Sequence, residues 1–194
     1  MSKIVVFMSV TLDGVIQAPG RPDEDTRGGF QYGGWAAPYS DPAIGKAAGE
    51  SMATTGGILL GRRTYEDFYS FWPRQTGSPF TEILNNMQKY VASRTLKEPL
   101  PWMNSTALQG DAPQTVATLK TQLDKDLVLL GSGNLVQVLM RHNLIDLYML
   151  LIHPLILGSG QRLFPDGSPY TTLRLVDSQA TSAGVLIATF QPAG

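Results

Sequence analysis

The sequence predicts an α/β fold: a mostly parallel central sheet with helices on both faces and an antiparallel edge. Three observations carry that expectation. Several short runs (Lys3–Val10, Gly57–Gly61, Asp126–Leu130, Asp146–His153) are apolar almost throughout, the pattern of strands buried on both faces. Helical patterns fall between them, which argues for crossover connections and parallel pairing. The last two runs, Thr171–Ala180 and Gly184–Gln191, alternate and follow one another closely, as an antiparallel pair does.

Taken in order, Lys3–Val10 reads as the first strand. It is too short for a signal peptide core and runs directly into Thr11-Leu12-Asp13-Gly14. Residues 11 to about 40 hold many Gly and Pro, the acids Asp23, Glu24 and Asp25, and the aromatics Phe30, Tyr32, Trp35 and Tyr39. A loop this long inside a compact domain is usually functional, and its aromatics suggest that it folds over something. Asp41 is placed to cap a helix begun by Pro42 and running to about Thr55. Gly57–Gly61 is a strand, Arg63–Phe71 a helix ended by Trp72-Pro73, and Pro79–Met87 a short helix. Lys89–Ser93 and Ser105–Gln109 read as strands, Pro113–Leu123 as an amphipathic helix and Asp126–Leu130 as a buried strand. A helix after Gly131-Ser132-Gly133 runs to about His142. No repeat or linker interrupts the 194 residues, so a single domain over 1–194 is expected.

Composition excludes several functions. Without cysteine there is no disulfide, thiolate nucleophile or cysteine-held metal, which suits a cytoplasmic location. A net charge of −1 gives no general attraction to nucleic acid or acidic membrane. The apolar stretch Leu147–Leu157, broken by His153 and Pro154, is far short of the roughly 20 residues that span a bilayer. The G-x-G-x-x-G fingerprint, the phosphate loop of nucleoside triphosphatases and the G-x-S-x-G elbow are all missing. His142 and His153 have no partner at metal spacing and are assigned structural roles; no metal is expected.

Three segments instead lie at strand-to-helix turns. Gly61-Arg62-Arg63-Thr64-Tyr65-Glu66 places two arginines at a helix N-terminus, with Thr64 expected as its cap. Free N–H groups there suit a pyrophosphate, and the guanidiniums suit a further phosphate. A capped helix with two solvated arginines would read the same. Ser93-Arg94-Thr95 leaves a strand with a hydroxyl and a cation fit for a ribose phosphate, or simply a polar strand exit. Gly131-Ser132-Gly133-Asn134 lets a ligand approach the backbone, as would any tight turn. Open α/β sheets bind ligands at the carboxyl ends of their strands, where all three segments fall. Asp13 is a candidate to orient substrate or relay a proton, against an ordinary Asp-Gly turn. Trp35 is a candidate to cover substrate from the loop, against an anchor packed on the core.

Five motifs carry a resemblance: S-V-T-L-D-G at 9–14, G-R-R-T-Y-E at 61–66, S-R at 93–94, G-S-G-N-L-V at 131–136 and H-P-L-I-L-G-S-G-Q-R-L-F at 153–164. In this order they resemble the dihydrofolate-reductase-like superfamily, above all the branch holding the reductase domain of bacterial riboflavin biosynthesis. The resemblance implies a dihydrofolate-reductase-like three-layer fold that binds NADPH. Arg62, with Arg63, would grip the 2′-phosphate side, and Thr64 the pyrophosphate. Ser93 and Arg94 would hold the adenosine end. Gly131, Ser132, Gly133 and Asn134 would lie along the pyrophosphate and nicotinamide. Residues 15–40 would form a lid carrying Trp35; Asp13 would be the catalytic residue near the substrate, and the proton would come from Asp13 or water.

The chain also departs from that pattern. Dihydrofolate reductases carry a Gly-Gly pair joined by a cis peptide where this chain has Gly131-Ser132. No first-helix residue matches their pterin-binding carboxylate: Glu50 aligns loosely, and Asp41 reads as a cap. The expected activity is hydride transfer from NADPH to a small polar, heterocyclic or carbonyl-containing substrate. In the riboflavin pathway that substrate is a ribosylated aminopyrimidine, but no deaminase region precedes this one, so a different substrate is expected. The competing expectation is a nucleotide-binding sensor without turnover. A homodimer is also expected, with the apolar strand Leu147–Ile152 as the surface that permits it.

Overall fold

A computed structural model describes residues 1–193. Eight strands form one sheet in the order β4-β3-β2-β5-β1-β6-β8-β7. They are β1 (Ile4–Thr11), β2 (Thr55–Gly61), β3 (Lys89–Ser93), β4 (Ser105–Gln109), β5 (Asp126–Leu130), β6 (Leu147–His153), β7 (Leu173–Ala180) and β8 (Leu186–Pro192). The first six pair in parallel, while β8 joins β6 and β7 antiparallel. The helices are α1 (Pro42–Ala53), α2 (Arg62–Phe71), α3 (Pro79–Asn86), α4 (Ala112–Gln122) and α5 (Gly133–Arg141).

The central strands read as uninterrupted apolar runs because each lies between two helical layers. Leu59, Leu127, Leu129, Val6 and Met8 point to the layer of α4 and α5, meeting Val116, Leu119, Val136 and Leu139. The alternate residues Ile58, Leu60, Val128 and Leu130 point the other way, toward Met52 of α1, Tyr65 of α2 and Leu84 of α3. Burying a side chain such as Leu129 completely contributes about 1.5–3 kcal/mol. Asp41 caps α1 by accepting from the Ala43 N–H at 2.8 Å, and it also accepts from the Ser182 hydroxyl at 2.6 Å. The α1 cap therefore ties down the turn between β7 and β8 as well. No helix among the described residues is long and apolar enough to cross a membrane.

Two expectations are corrected. Thr64 does not cap α2: β2 runs into the helix without a loop, Gly61 takes the capping position, and Thr64 lies inside the first turn. Nor is β6 an exposed surface. It sits between β1 and β8 with most of its side chains buried, and the open edge is β7, exposed along nearly its whole length.

The long loop after β1 is ordered by its own small core. Val15, Ala18, Phe30 and Trp35 pack together with Leu155 and Leu157 from the segment after β6. Short 3-10 turns at Arg27–Gly29 and Ala37–Tyr39 use its backbone groups. Buried Gln17 stitches it further, donating to the carbonyls of Asp25 and Arg27 and accepting from the Gln161 N–H. At its far side Arg21 bonds Asp67 of α2 at 2.6 Å and lies over the Phe71 ring. The loop is thus a strap running from the end of β1 to the flank of α2.

Candidate functional site

Because β3, β2, β5, β1 and β6 are neighbours and parallel, their carboxyl ends open side by side. The turns after β2, β3 and β5 carry the three phosphate-type segments, and the turn after β1 carries Asp13. The structure therefore brings the sequence-predicted residues to one rim of the sheet. A recess of about 280 Å³ lined by Lys3, Asp146 and Gln191 opens at the opposite, amino-terminal rim and holds none of them.

The start of α2 and the start of α5 are joined. The Ser132 hydroxyl accepts from the Gly61 N–H at 2.7 Å and donates to Thr64 Oγ1 at 2.7 Å. Ser132 itself is left-handed (φ 61, ψ 51), a conformation that costs a residue with a side chain about 1–2 kcal/mol. The peptide between Gly131 and Ser132 is trans, since the cis bond among the described residues is Glu98-Pro99. A Cβ on Gly133 would lie 2.2 Å from Ile16 Cδ1, so Ile16 of the strap rests directly on the start of α5. Both helix N-termini face the same gap with unused N–H groups.

Cations flank that gap unequally. Arg62 is engaged: it donates to Glu66 at 2.7 Å and to Thr95 Oγ1 at 2.6 Å. Arg63 and Arg94 are exposed and have no side-chain partner among the described residues. Ser93 is buried, and its hydroxyl accepts from the N–H groups of Thr95 and Leu96 at 3.1 Å; it shapes the turn that presents Arg94. Asn134 is exposed at the start of α5. Two N-termini and two unpaired guanidiniums make a donor set that fits a pyrophosphate with an additional phosphate nearby.

On the β1 side, Asp13 accepts from the Thr11 hydroxyl at 2.6 Å and from the N–H groups of Gly158 and Leu157 at 2.8 and 3.2 Å. The Thr11 hydroxyl is the largest influence holding the Asp13 carboxyl below its ordinary value, and the Gly158 and Leu157 N–H groups act in the same direction. Trp35 is 7% exposed, and its Nε1 donates to the Gln17 carbonyl at 2.7 Å. It is the anchor of the strap, edge-on to the buried His153 ring. Burial pushes the His153 imidazole below its ordinary value, and its Nδ1 lies 2.9 Å from the Leu151 carbonyl. His142 follows the last turn of α5. Among the described residues no group of three or more His, Asp or Glu side chains could hold a metal.

Sequence reading missed Ile16, Gln17, Arg21 and Asp67. Their roles depend on contacts between distant segments, and only their place in or beside the long loop hinted at them.

Sheet order and helical layers define a dihydrofolate-reductase-like α/β protein. The chain belongs to the RibD C-terminal domain family, whose model matches residues 2–187. It is 28% identical over 191 residues to the uncharacterized protein YyaP of Bacillus subtilis (strain 168), covering 95% of this chain and 92% of that one. Among solved structures, a candidate riboflavin biosynthesis protein from Shewanella sp. PV-4 superposes with a TM-score of 0.68 at 20% identity, each chain covered completely. A pyrimidine reductase-like protein from Corynebacterium diphtheriae gives 0.66 at 12% identity, covering 100% of this chain and 92% of that one. At these identities the solved structures bear on the fold.

Proposed function

We propose that this chain, as one domain over residues 1–194, is an NADPH-dependent reductase that transfers a hydride to a small polar heterocyclic or carbonyl substrate. The observation that carries the reading is the pairing of the α2 and α5 N-termini across one gap, with Arg63 and Arg94 unpaired beside it. The dinucleotide supplies the hydride. Gly131, Ser132, Gly133 and Asn134 line its pyrophosphate, with Thr64 and Ser93 setting the turns around it. Arg63 and Arg94 supply counter-charge for the 2′-phosphate, with Arg62 shared between that group and Glu66. The strap, anchored by Trp35, keeps water from the transfer. Family membership supports a reductase, and the name of one structural neighbour, a pyrimidine reductase-like protein, points the same way.

Asp13 acts by fixing the β1 turn against residues 157 and 158, and water delivers the proton. The cytoplasm, where NADPH is abundant and a cysteine-free chain loses nothing, is the proposed location. The protein works as a homodimer on a small-molecule substrate, without nucleic acid or membrane.

A second reading, a nucleotide sensor without turnover, is favoured by the saturation of Asp13, the acid expected to be catalytic. Calorimetric titration with NADPH and with NADH separates these readings from neither. The expected result is tight binding of NADPH and weak binding of NADH. Arg63→Ala and Arg94→Ala should each lose about ten-fold in NADPH affinity, the worth of one charge-assisted contact, with NADH nearly unchanged. Binding of neither cofactor overturns both readings; NADPH binding with no oxidation by any carbonyl or heterocyclic substrate leaves the sensor.

A further inference from the structure

We propose that Ser132 is a positioning residue: it locks the N-termini of α2 and α5 together, so that two separate helix starts act as one rigid pyrophosphate cradle. The proposal rests on the reductase reading for its ligand but not for its geometry. The Ser132 hydroxyl accepts from the Gly61 N–H and commits its single O–H to Thr64 Oγ1, each at 2.7 Å, so no donor is left for an anion. Ser132 Oγ therefore has little left to offer a ligand directly, and its influence passes through the backbone it holds.

The surrounding packing is built to this bond. A Cβ on Gly61 would come within 3.2 Å of Ser132 Oγ, and a Cβ on Gly131 within 3.0 Å of Thr64 Cγ2. The two turns thus interlock with the serine between them. The backbone strain points the same way. A glycine would adopt φ 61 freely, yet the chain holds a serine there, and the two hydrogen bonds of its hydroxyl offset the strain. Without that hydroxyl, α2 and α5 are joined at this rim only by van der Waals contact, and the free N–H groups at their tips lose their fixed spacing. Electrostatic binding depends on such preorganised donors.

The test compares wild type with Ser132→Gly and Thr64→Val. Glycine removes the hydroxyl while relieving the left-handed strain, so the melting temperature should stay within a few degrees of wild type. Amide hydrogen exchange of the ligand-free proteins is the first readout. In Ser132→Gly the Gly61 amide and residues 62–66 should exchange about ten-fold faster, as expected for one lost hydrogen bond. Thr64→Val should show a smaller rise. Titrations with NADPH, NADH and inorganic pyrophosphate are the second. All three should weaken together in Ser132→Gly, by about ten-fold, and the NADPH-to-NADH preference should not change, because the arginines that read the 2′-phosphate are intact.

Unchanged exchange at Gly61 and 62–66 overturns the lock. Faster exchange with all three affinities unchanged overturns its role in binding. Loss of the NADPH preference alone also overturns it, since that places Ser132 at the 2′-phosphate. If wild type binds none of the three ligands, the reductase reading fails instead, and the exchange readout alone decides whether the lock exists.

Discussion

Asp13 stands at the end of β1 with its carboxyl turned toward the segment after β6. A group that accepts from a hydroxyl and two backbone N–H groups is stabilised in its charged form. That favours the carboxylate form and argues for a positioning role rather than for proton donation. The folded value is lowered, so the stability this carboxylate contributes is present above the ordinary carboxylate range. It is lost as the pH falls through the lower folded value. Asp13→Asn turns an amide toward donors that need an acceptor. The expected outcome is a melting temperature lower by roughly 2–4 °C, with the turnover-against-pH curve unchanged in shape. If the acid limb of that curve vanished in the variant, Asp13 would be the proton source after all. In the sequence, Asp-Gly after an apolar strand was legible as a turn and as a candidate acid. Thr11 is two positions away, but the backbone donors at 157 and 158 lie more than 140 positions away and were not legible.

At the scale of elements, strands were legible almost to the residue where an apolar run met polar ends, as in β3, β4 and β5. The exception inside β3 is Lys89. Its phase put it on the same face as Val91, which is fully buried, and no local signal says that a lysine belongs there. The reason is the neighbouring helix: Lys89 Nζ donates to the carbonyls of Leu84 and Met87 at 2.7 and 2.8 Å, closing the end of α3. With burial uncompensated by any carboxylate, its ammonium is pushed down to about 8. The strap was legible as a functional loop but not as a folded unit, because its core is assembled from Val15, Phe30 and the segment after β6. Gly160 is a tight point of that assembly. It has φ +112, and a Cβ there would lie 2.7 Å from Phe30 Cε2 and 2.8 Å from Val15 Cγ1. Gly160→Ala therefore meets both steric strain and an unfavourable backbone, a loss of about 2 kcal/mol. Limited proteolysis should cut between residues 15 and 41 faster in the variant while far-ultraviolet circular dichroism of the sheet and helices is preserved. Equal protection in both proteins would mean that the Val15–Phe30 core does not hold the strap.

At the scale of the whole molecule the sheet is lopsided. Its β4 side is flanked by helices, whereas β7 ends the other side with Leu175 and Val176 about half exposed. A long edge strand with open N–H and C=O groups and apolar side chains is a template for pairing, and proteins normally cover it or charge it. Here the edge is self-complementary. The irregularity at Val176 leaves Arg174 and Asp177 on the same face of β7. An antiparallel pairing of β7 with a second copy about a two-fold axis then sets Arg174 of each chain opposite Asp177 of the other. The interface of such a dimer is isologous, as closed symmetry requires. Light scattering should give a mass twice the 21.1 kDa of one chain. Arg174→Glu sets like charges across the axis and should shift the equilibrium toward monomer, as should Leu175→Lys. The double variant Arg174→Glu, Asp177→Arg restores opposite charges and should recover the dimer, which neither a folding defect nor a general loss of apolar surface would do. A wild-type mass of one chain removes the proposed dimer. A dimer indifferent to all three variants places the contact on another face, and β7 is then an edge protected only by its bulge and its charges.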